Sequence, residues 1–403
     1  MGGKALLALL PHATFPRLSP ALYNAIKSHL HARLSPLFDR VTIPHEAPEK
    51  LDHGDIDFIV ASPQPGLKHH DVERALGTTS QHSIPSPEVG AGTSHFALSL
   101  ALLERELGFV EDGASHIIPH EDSSLVTKAD VDGRYVQVDV HLCPDVEDFE
   151  RVVFFHGYGD LGMIMGALAR SVGLQLGSKG LKISSPALAP TFSTSFQLSS
   201  TFRPILAFFG LSLARWEQGF ETQISAFEWI ATSPFYDPRR IASRDSDNPS
   251  RERSLRDRKI YQAFWAWNES QARPQSPHSG FMSSVDGDGE VMLQPEERST
   301  FVAGVHEEAL VYFGRKAEHD ELMERNQRRI KFKKAWNGTN VGEWTGWYGS
   351  DVGRVMKLVR EWVGGEEVMM SEKMGEERLK EMVLLAKVEV ERRKTLDKEA
   401  LPE

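Results

Sequence analysis

His53-Gly54-Asp55-Ile56-Asp57-Phe58-Ile59-Val60 is one of two short acidic stretches, and Tyr135-Val136-Gln137-Val138-Asp139-Val140 is the other. Side chains alternate along a strand with a period of two, so Asp55 and Asp57 leave one face together. Phe58-Ile59-Val60 follows without a polar residue, which places the acids at the end of a buried strand. In the second stretch Asp139 stands alone among Val136, Val138 and Val140. If the two strands pair, three carboxylates converge. Such a group repels itself, and divalent cations make it tolerable. Two hard cations about 4 Å apart on carboxylate oxygens are the apparatus of in-line phosphoryl and nucleotidyl transfer.

Outward from these strands the chain alternates between helical and extended patterns. Leu22, Ile26, Leu30 and Leu34 recur at helical spacing after Ser19-Pro20, predicting a helix over 20–35. A short strand is expected around Val41-Thr42-Ile43, and a helix near 69–77. Ala97 to Leu107 fits both periods. Val131-Asp132-Gly133-Arg134 reads as a hairpin turn feeding the Asp139 strand. Asp160 to Val172 reads as a helix closed by Gly173. Residues 201 to 236 are aromatic and apolar, which predicts a mostly helical region. Residues 238–258 and 271–299 hold few apolar residues and read as disordered segments around a helix at 259–270. From 300 to 403 the pattern is helical again. It ends with Leu379, Met382, Val383, Ala386 and Val390 on one stripe.

The composition sets bounds. A chain of 403 residues has room for more than one domain and a proper core. Its net charge of −11 argues against coating nucleic acid by bulk charge, while a local basic groove is compatible with it. The single cysteine, Cys143, excludes an internal disulfide framework and fits a reducing compartment. It reads as a small buried residue. No apolar run approaches the ~20 residues of a membrane span. The expected location is the nucleus or the cytoplasm, with no membrane partner. His69-His70 and His116/His120 read as loop residues rather than ligands, because Pro119 breaks the second pair's helical spacing.

The ordered set of motifs resembles the DNA polymerase X family of polymerase-beta-like nucleotidyltransferases over about residues 20–183. Gly54-Asp55-Ile56-Asp57 followed by Phe58-Ile59-Val60-Ala61-Ser62-Pro63 looks like the family's Gly-Asp-x-Asp strand. Val138-Asp139-Val140 looks like the strand of its third aspartate. Phe154-Phe155-His156-Gly157-Tyr158 is similar to the turn beside the incoming sugar. Ala167-Leu168-Ala169-Arg170, Gly173 and Gly180-Leu181 match the helix that follows.

The resemblance implies an α+β fold, with a mixed-sheet palm over 1–150. A helical domain over 151–237 and a helical C-terminal region would follow it. It implies two Mg²⁺ or Mn²⁺ ions on Asp55, Asp57 and Asp139, with Asp139 also helping to activate the attacking hydroxyl. Gly54, Phe154, Phe155 and Gly157 would border the nucleotide, and Lys50 would steady phosphate charge. The donor would be an NTP and the acceptor a DNA or RNA end or a small hydroxyl compound. Lys179 is placed either against a phosphate or exposed at a turn.

The departures are as specific as the matches. Where the family has Gly-Ser donating to the triphosphate, this chain has Pro44-His45, and proline has no backbone donor. Its arginines become Ala47-Pro48, and a helical Asn and Arg fall on Gly162 and Gly166. A catalytically silent nucleotide-binding or interaction protein is therefore the alternative.

Overall fold

The computed structural model describes residues 5–88, 90–109, 133–184, 195–245, 258–272, 295–370 and 375–399. The chain is mixed α+β and divides into two compact units. One contains Met1–Ile183 and Gln197–Phe313; the other contains Ser184–Phe196 and Gly314–Glu403.

The first unit begins with α1 (Pro20–Leu34), β1 (Phe38–Thr42), β2 (Asp55–Pro63) and α2 (His69–Leu76). Then come β3 (Ser83–Ile84), β4 (Gly92–Ser99), α3 (Leu100–Glu106) and β5 (Tyr135–Cys143). The stretch that fits both periods therefore splits, strand to Ser99 and helix after it. Ser19 caps α1 and Pro20 starts it, while Tyr23, Ile26, Leu30 and Leu34 form its buried stripe. The helix expected near 69–77 is α2, which His69 opens, and the His69 Nε2 lies 3.0 Å from Ser83 Oγ. His116, His120 and the first half of the hairpin turn lie outside the described residues.

The five strands form one sheet in the order β1-β2-β5-β4-β3. β2 and β5 run parallel, and the other neighbours are antiparallel. Strand alternation sorts this sheet into two faces. Ile56, Phe58, Val60, Val136, Val138, Val140, Phe96 and Leu98 point one way and form a core with the buried stripes of α1 and α2. The polar residues between them point the other way.

On that second face lies α4 (Val146–His156), capped by the Asp145 side chain, which accepts from the Asp148 amide at 2.7 Å. Phe149 and Val152 of α4 bury Ile59, Ala61 and Cys143. Residue 150, the expected domain boundary, lies inside this helix. A bend of 92° leads from α4 into α5 (Leu161–Ser171). α5 is buried nearly all round, which accounts for its apolar composition. Gly173 follows it with φ +83°, the left-handed value expected of a helix-closing glycine.

A second sheet has the order β6-β7-β8, with β6 (Leu174–Gly177), β7 (Gly180–Ser184) and β8 (Ser195–Ser199). The aromatic region folds as α6 (Phe202–Phe208), α7 (Leu213–Gln218) and α8 (Gln223–Ala231). Part of the expected linker is ordered as α9 (Pro238–Asp245). Asp237 Oδ1 accepts from the amides of Arg239 and Arg240 at 2.9 and 3.2 Å, and Ile241 is buried. A capped start and one well-placed apolar residue outweigh the polar composition. Residues 246–257 and 273–294 lie outside the described residues. Between them runs α10 (Lys259–Ala272), and α11 (Pro295–Tyr312) begins inside the segment expected to be disordered.

The second unit is mostly helical: α12 (Lys316–Ala335), α13 (Gly338–Thr345), α14 (Ser350–Val363), α15 (Glu366–Met369) and α16 (Glu376–Glu399). Leu379, Val383, Ala386 and Val390 are buried with Val355, Val359 and Trp336, as the amphipathic stripe predicts. Among the described residues no single helix is long and apolar enough to cross a membrane.

Candidate active site on the polar face of the mixed sheet

The register brings the acidic residues together. Asp57 lies opposite Asp139 across the parallel β2–β5 pair, and His95 lies opposite Asp139 across β4–β5. One row thus reads Asp57–Asp139–His95 over three adjacent strands. The row before it holds Asp55 and Gln137, and the row after it holds Ile59, His141 and Thr93. Residues opposite one another share a face, so the three carboxylates occupy the same side of the sheet.

Local structure fixes the start of β2. His53 and Leu18 exchange backbone hydrogen bonds at 2.7 and 3.0 Å, and the His53 ring stacks on Tyr23 of α1 with centroids 3.7 Å apart. Gly54, buried between His53 and Asp55, brings the chain into the strand.

Asp139 is held from two sides. Gln137 Nε2 donates to both of its oxygens at 2.9 and 3.0 Å. His95 Nδ1 lies 2.9 Å from Oδ1, and to an ionised Asp139, which only accepts, that nitrogen donates. Burial raises the Asp139 pKa and Asp55 adds to it, against the bonds from His95 and Gln137 that lower it; the net shift is upward.

Asp57 is open to solvent at its outer edge, yet protein surrounds it on the other sides. Desolvation by those neighbours pushes its carboxyl up to about 7, and the charges of Asp55, Asp139 and Glu46 push the same way against Lys50. Its partial exposure means that solvent screens part of this repulsion.

Sequence reasoning missed Glu46, a fourth acid beside the three. It accepts from Lys50 Nζ at 2.6 Å and from the Tyr23 hydroxyl. Burial pushes Glu46 up, but the bonds from Lys50 and Tyr23 outweigh it and the net shift is downward. Lys50 therefore spends its charge on Glu46 while still drawing Asp57 downward. Gln137 was missed as well, although strand alternation places it on the same face two residues before Asp139. His95 and Glu46 were not legible, because each needs a long-range pairing.

The remaining candidates serve packing in this conformation. Phe154 is buried against Phe202 and Trp216, with centroids 4.1 and 4.8 Å away. A Cβ at Gly157 would come within 2.8 Å of the Trp216 ring, so a glycine is required there by close contact. Phe155 is half-buried beside His156. Lys179 is exposed in the tight turn between β6 and β7, and its carbonyl accepts from Gln197 at 3.0 Å.

His45, Gly162 and Gly166, which differ from the pattern the sequence resembles, also sit in close packing contacts. The His45 ring stacks on Tyr158 at 4.9 Å, and its carbonyl accepts from the Tyr158 amide at 2.7 Å. A Cβ at Gly162 would lie 2.3 Å from the Phe155 carbonyl oxygen, so the close approach of α5 to the end of α4 leaves no room for a side chain. At Gly166 the corresponding approach, to the Leu176 carbonyl oxygen, is 3.2 Å.

Asp55, Asp57 and Asp139 are the residues that could hold a hard divalent cation on this face, but their oxygens are not among the donor atoms that gather within 4.8 Å of one another in the described residues. Burial is the first cause of the raised Asp57 and repulsion by Asp55 and Asp139 adds to it, while Asp139 Oδ2, which accepts one hydrogen bond, retains a second lone pair. No protein-family model matches the chain, and no curated protein is significantly similar to it.

Proposed function

We propose that the protein is a metal-dependent nucleotidyltransferase that moves a nucleoside monophosphate from an NTP to a hydroxyl acceptor, a nucleic-acid end or a small molecule. The observation that carries this reading is the β2–β5 register, which sets Asp57 directly against Asp139 with Asp55 two residues away on the same face. Asp55, Asp57 and Asp139 would hold two Mg²⁺ or Mn²⁺ ions, whose chemistry is to polarise the α-phosphate and neutralise the charge that develops there. The acceptor oxygen forms its bond to the α-phosphorus, the α–β phosphoanhydride bond breaks, and pyrophosphate leaves. Asp139, oriented by His95 and Gln137, is the acid best fixed to receive the hydroxyl proton. The polymerase-beta-like palm is the specific form of the mixed sheet that this reading requires.

A second reading, a silent nucleotide-binding descendant, is favoured by one observation. His45 and Pro44 take the place of triphosphate donors, and His45 is committed to Tyr158. Purified full-length chain with labelled NTPs, Mn²⁺ and a panel of DNA and RNA primers separates the two. Transfer is expected in the wild type and a loss of ~10³-fold or more in Asp139→Asn. Equal product from both proteins would remove Asp139 from the mechanism. No product, with nucleotide still raising the melting temperature, would select the silent reading.

A further inference from the structure

We propose that His141, Cys143 and Asp148 form a thiolate-type metal site for a borderline-soft divalent ion of the Zn²⁺ class, separate from the all-oxygen site at the aspartates. A ring nitrogen of His141, the Cys143 sulfur and a carboxylate oxygen of Asp148 lie within 4.8 Å of one another. Two of these residues alternate on the same face of β5, and the third sits in the first turn of α4. An ion there would clip the end of the strand to the helix that covers it.

The donor set decides the metal. One sulfur, one imidazole and one carboxylate suit zinc, cobalt or another borderline ion, whereas magnesium and calcium take oxygen donors alone. Three protein ligands leave a fourth tetrahedral position for water. The surroundings support the ligands as an outer shell does in metal sites. Thr93 Oγ1 lies 2.8 Å from His141 Nδ1, and a ring held through Nδ1 presents Nε2 to an ion. Arg151 pairs with Asp148 and is itself anchored through Nε to the Ser178 carbonyl at 2.8 Å.

The charge balance explains why the site also stands without metal. Arg151 offsets Asp148, and burial followed by the charge of Asp148 keeps the Cys143 thiol protonated, up to about 12. Metal binding replaces that proton: the S–H bond breaks, a sulfur–metal bond forms, and the proton leaves to water. Tetrahedral sites place ligand atoms ~3.5 Å apart, and these three already lie within 4.8 Å of one another without an ion.

The chain contains one cysteine, so a thiolate–metal signal can come only from Cys143. The test is a titration of metal-stripped full-length protein with Co²⁺, followed by the near-ultraviolet thiolate-to-cobalt charge-transfer band. The band is expected to saturate at one Co²⁺ per chain at all protein concentrations and to be bleached by equimolar Zn²⁺. His141→Gln and Asp148→Asn are expected to weaken the affinity by at least ~10-fold. Asp55→Asn is expected to keep it, which separates this site from the proposed active site. Absence of the band in the wild type, or its loss in Asp55→Asn, would overturn the proposal. A folded His141→Gln with unchanged affinity would do so as well.

Discussion

The two ends of one sheet face solve the problem of charge in opposite ways. At the Asp139 end, Asp55, Asp57 and Asp139 share one side of the sheet, and Lys50, the lysine that acts on Asp57, is already paired with Glu46. At the Cys143 end, four residues along the same strand, the acid is Asp148 and Arg151 neutralises it. The first end stays partly open to solvent; the second is roofed by Phe149 and Val152 of α4. A shared scaffold with identical alternation thus carries one cluster of three acids and one in which an arginine offsets the acid. The comparison teaches that three acids on a strand pair become a candidate site through what their neighbours withhold.

The largest expected effect breaks the comparison at its open end. Asp57→Asn should cut nucleotidyl transfer by ~10³-fold or more, measured with labelled NTP, while leaving the melting temperature equal or higher because a repelling charge is gone. A variant that both melts early and loses activity would make Asp57 a structural residue instead. At the roofed end the balance reverses. Phe149→Ala should cost about 2–4 kcal/mol of stability by urea denaturation, from lost burial and the cavity left over Ile59, Ala61 and Cys143. A cost under ~1 kcal/mol would mean that α4 does not seal this face.

Much of this was readable in advance. The Asp55-Ile56-Asp57 alternation and the lone Asp139 identify the face, because a strand has only two. The helix stripes of α1 and α16 follow from their apolar spacing. What escaped reading depends on pairing across long stretches. His95 reaches Asp139 only through the β4–β5 register, and Glu46 reaches Asp57 from a loop with no periodic pattern. The helix over α9 escaped because one buried Ile241 and one Asp237 cap are weak signals in a polar run. Gly162 carries a steric requirement that no single-residue pattern announces.

The pH response should also differ between the two ends. Folded Asp57 keeps its proton up to about 7, whereas an unfolded aspartate releases it near ~3.9. Between those values the folded state binds more protons. Stability from this residue is therefore full below about pH 3.9 and lost as the pH rises through about 7. The lowered pKa values of His45, His53, His141 and His156, each due first to burial, act in the opposite direction. The expected observation is consequently a difference. In EDTA, the melting temperature of wild type minus that of Asp57→Asn should fall between pH 5 and pH 8, and Mg²⁺ should reduce that fall. A difference that stays flat with pH would place Asp57 outside the repelling cluster.

The smallest effect sharpens the comparison most, because it moves one charge without touching the sheet. Lys50 draws Asp57 downward and cancels Glu46, which pushes it upward. Lys50→Ala removes the first influence and uncovers the second, so both changes raise the Asp57 midpoint. Part of the field passes through water, which limits the rise to under ~1 unit. Carboxyl ¹³C shifts followed through a pH titration in EDTA would resolve it. At the other end, Arg151 still faces Asp148 in the variant, and the Co²⁺ affinity of Cys143 should stay within about twofold. An Asp57 midpoint that holds still or drops would show that Glu46 and Lys50 act as a closed pair, and that the three aspartates set their own potential unaided.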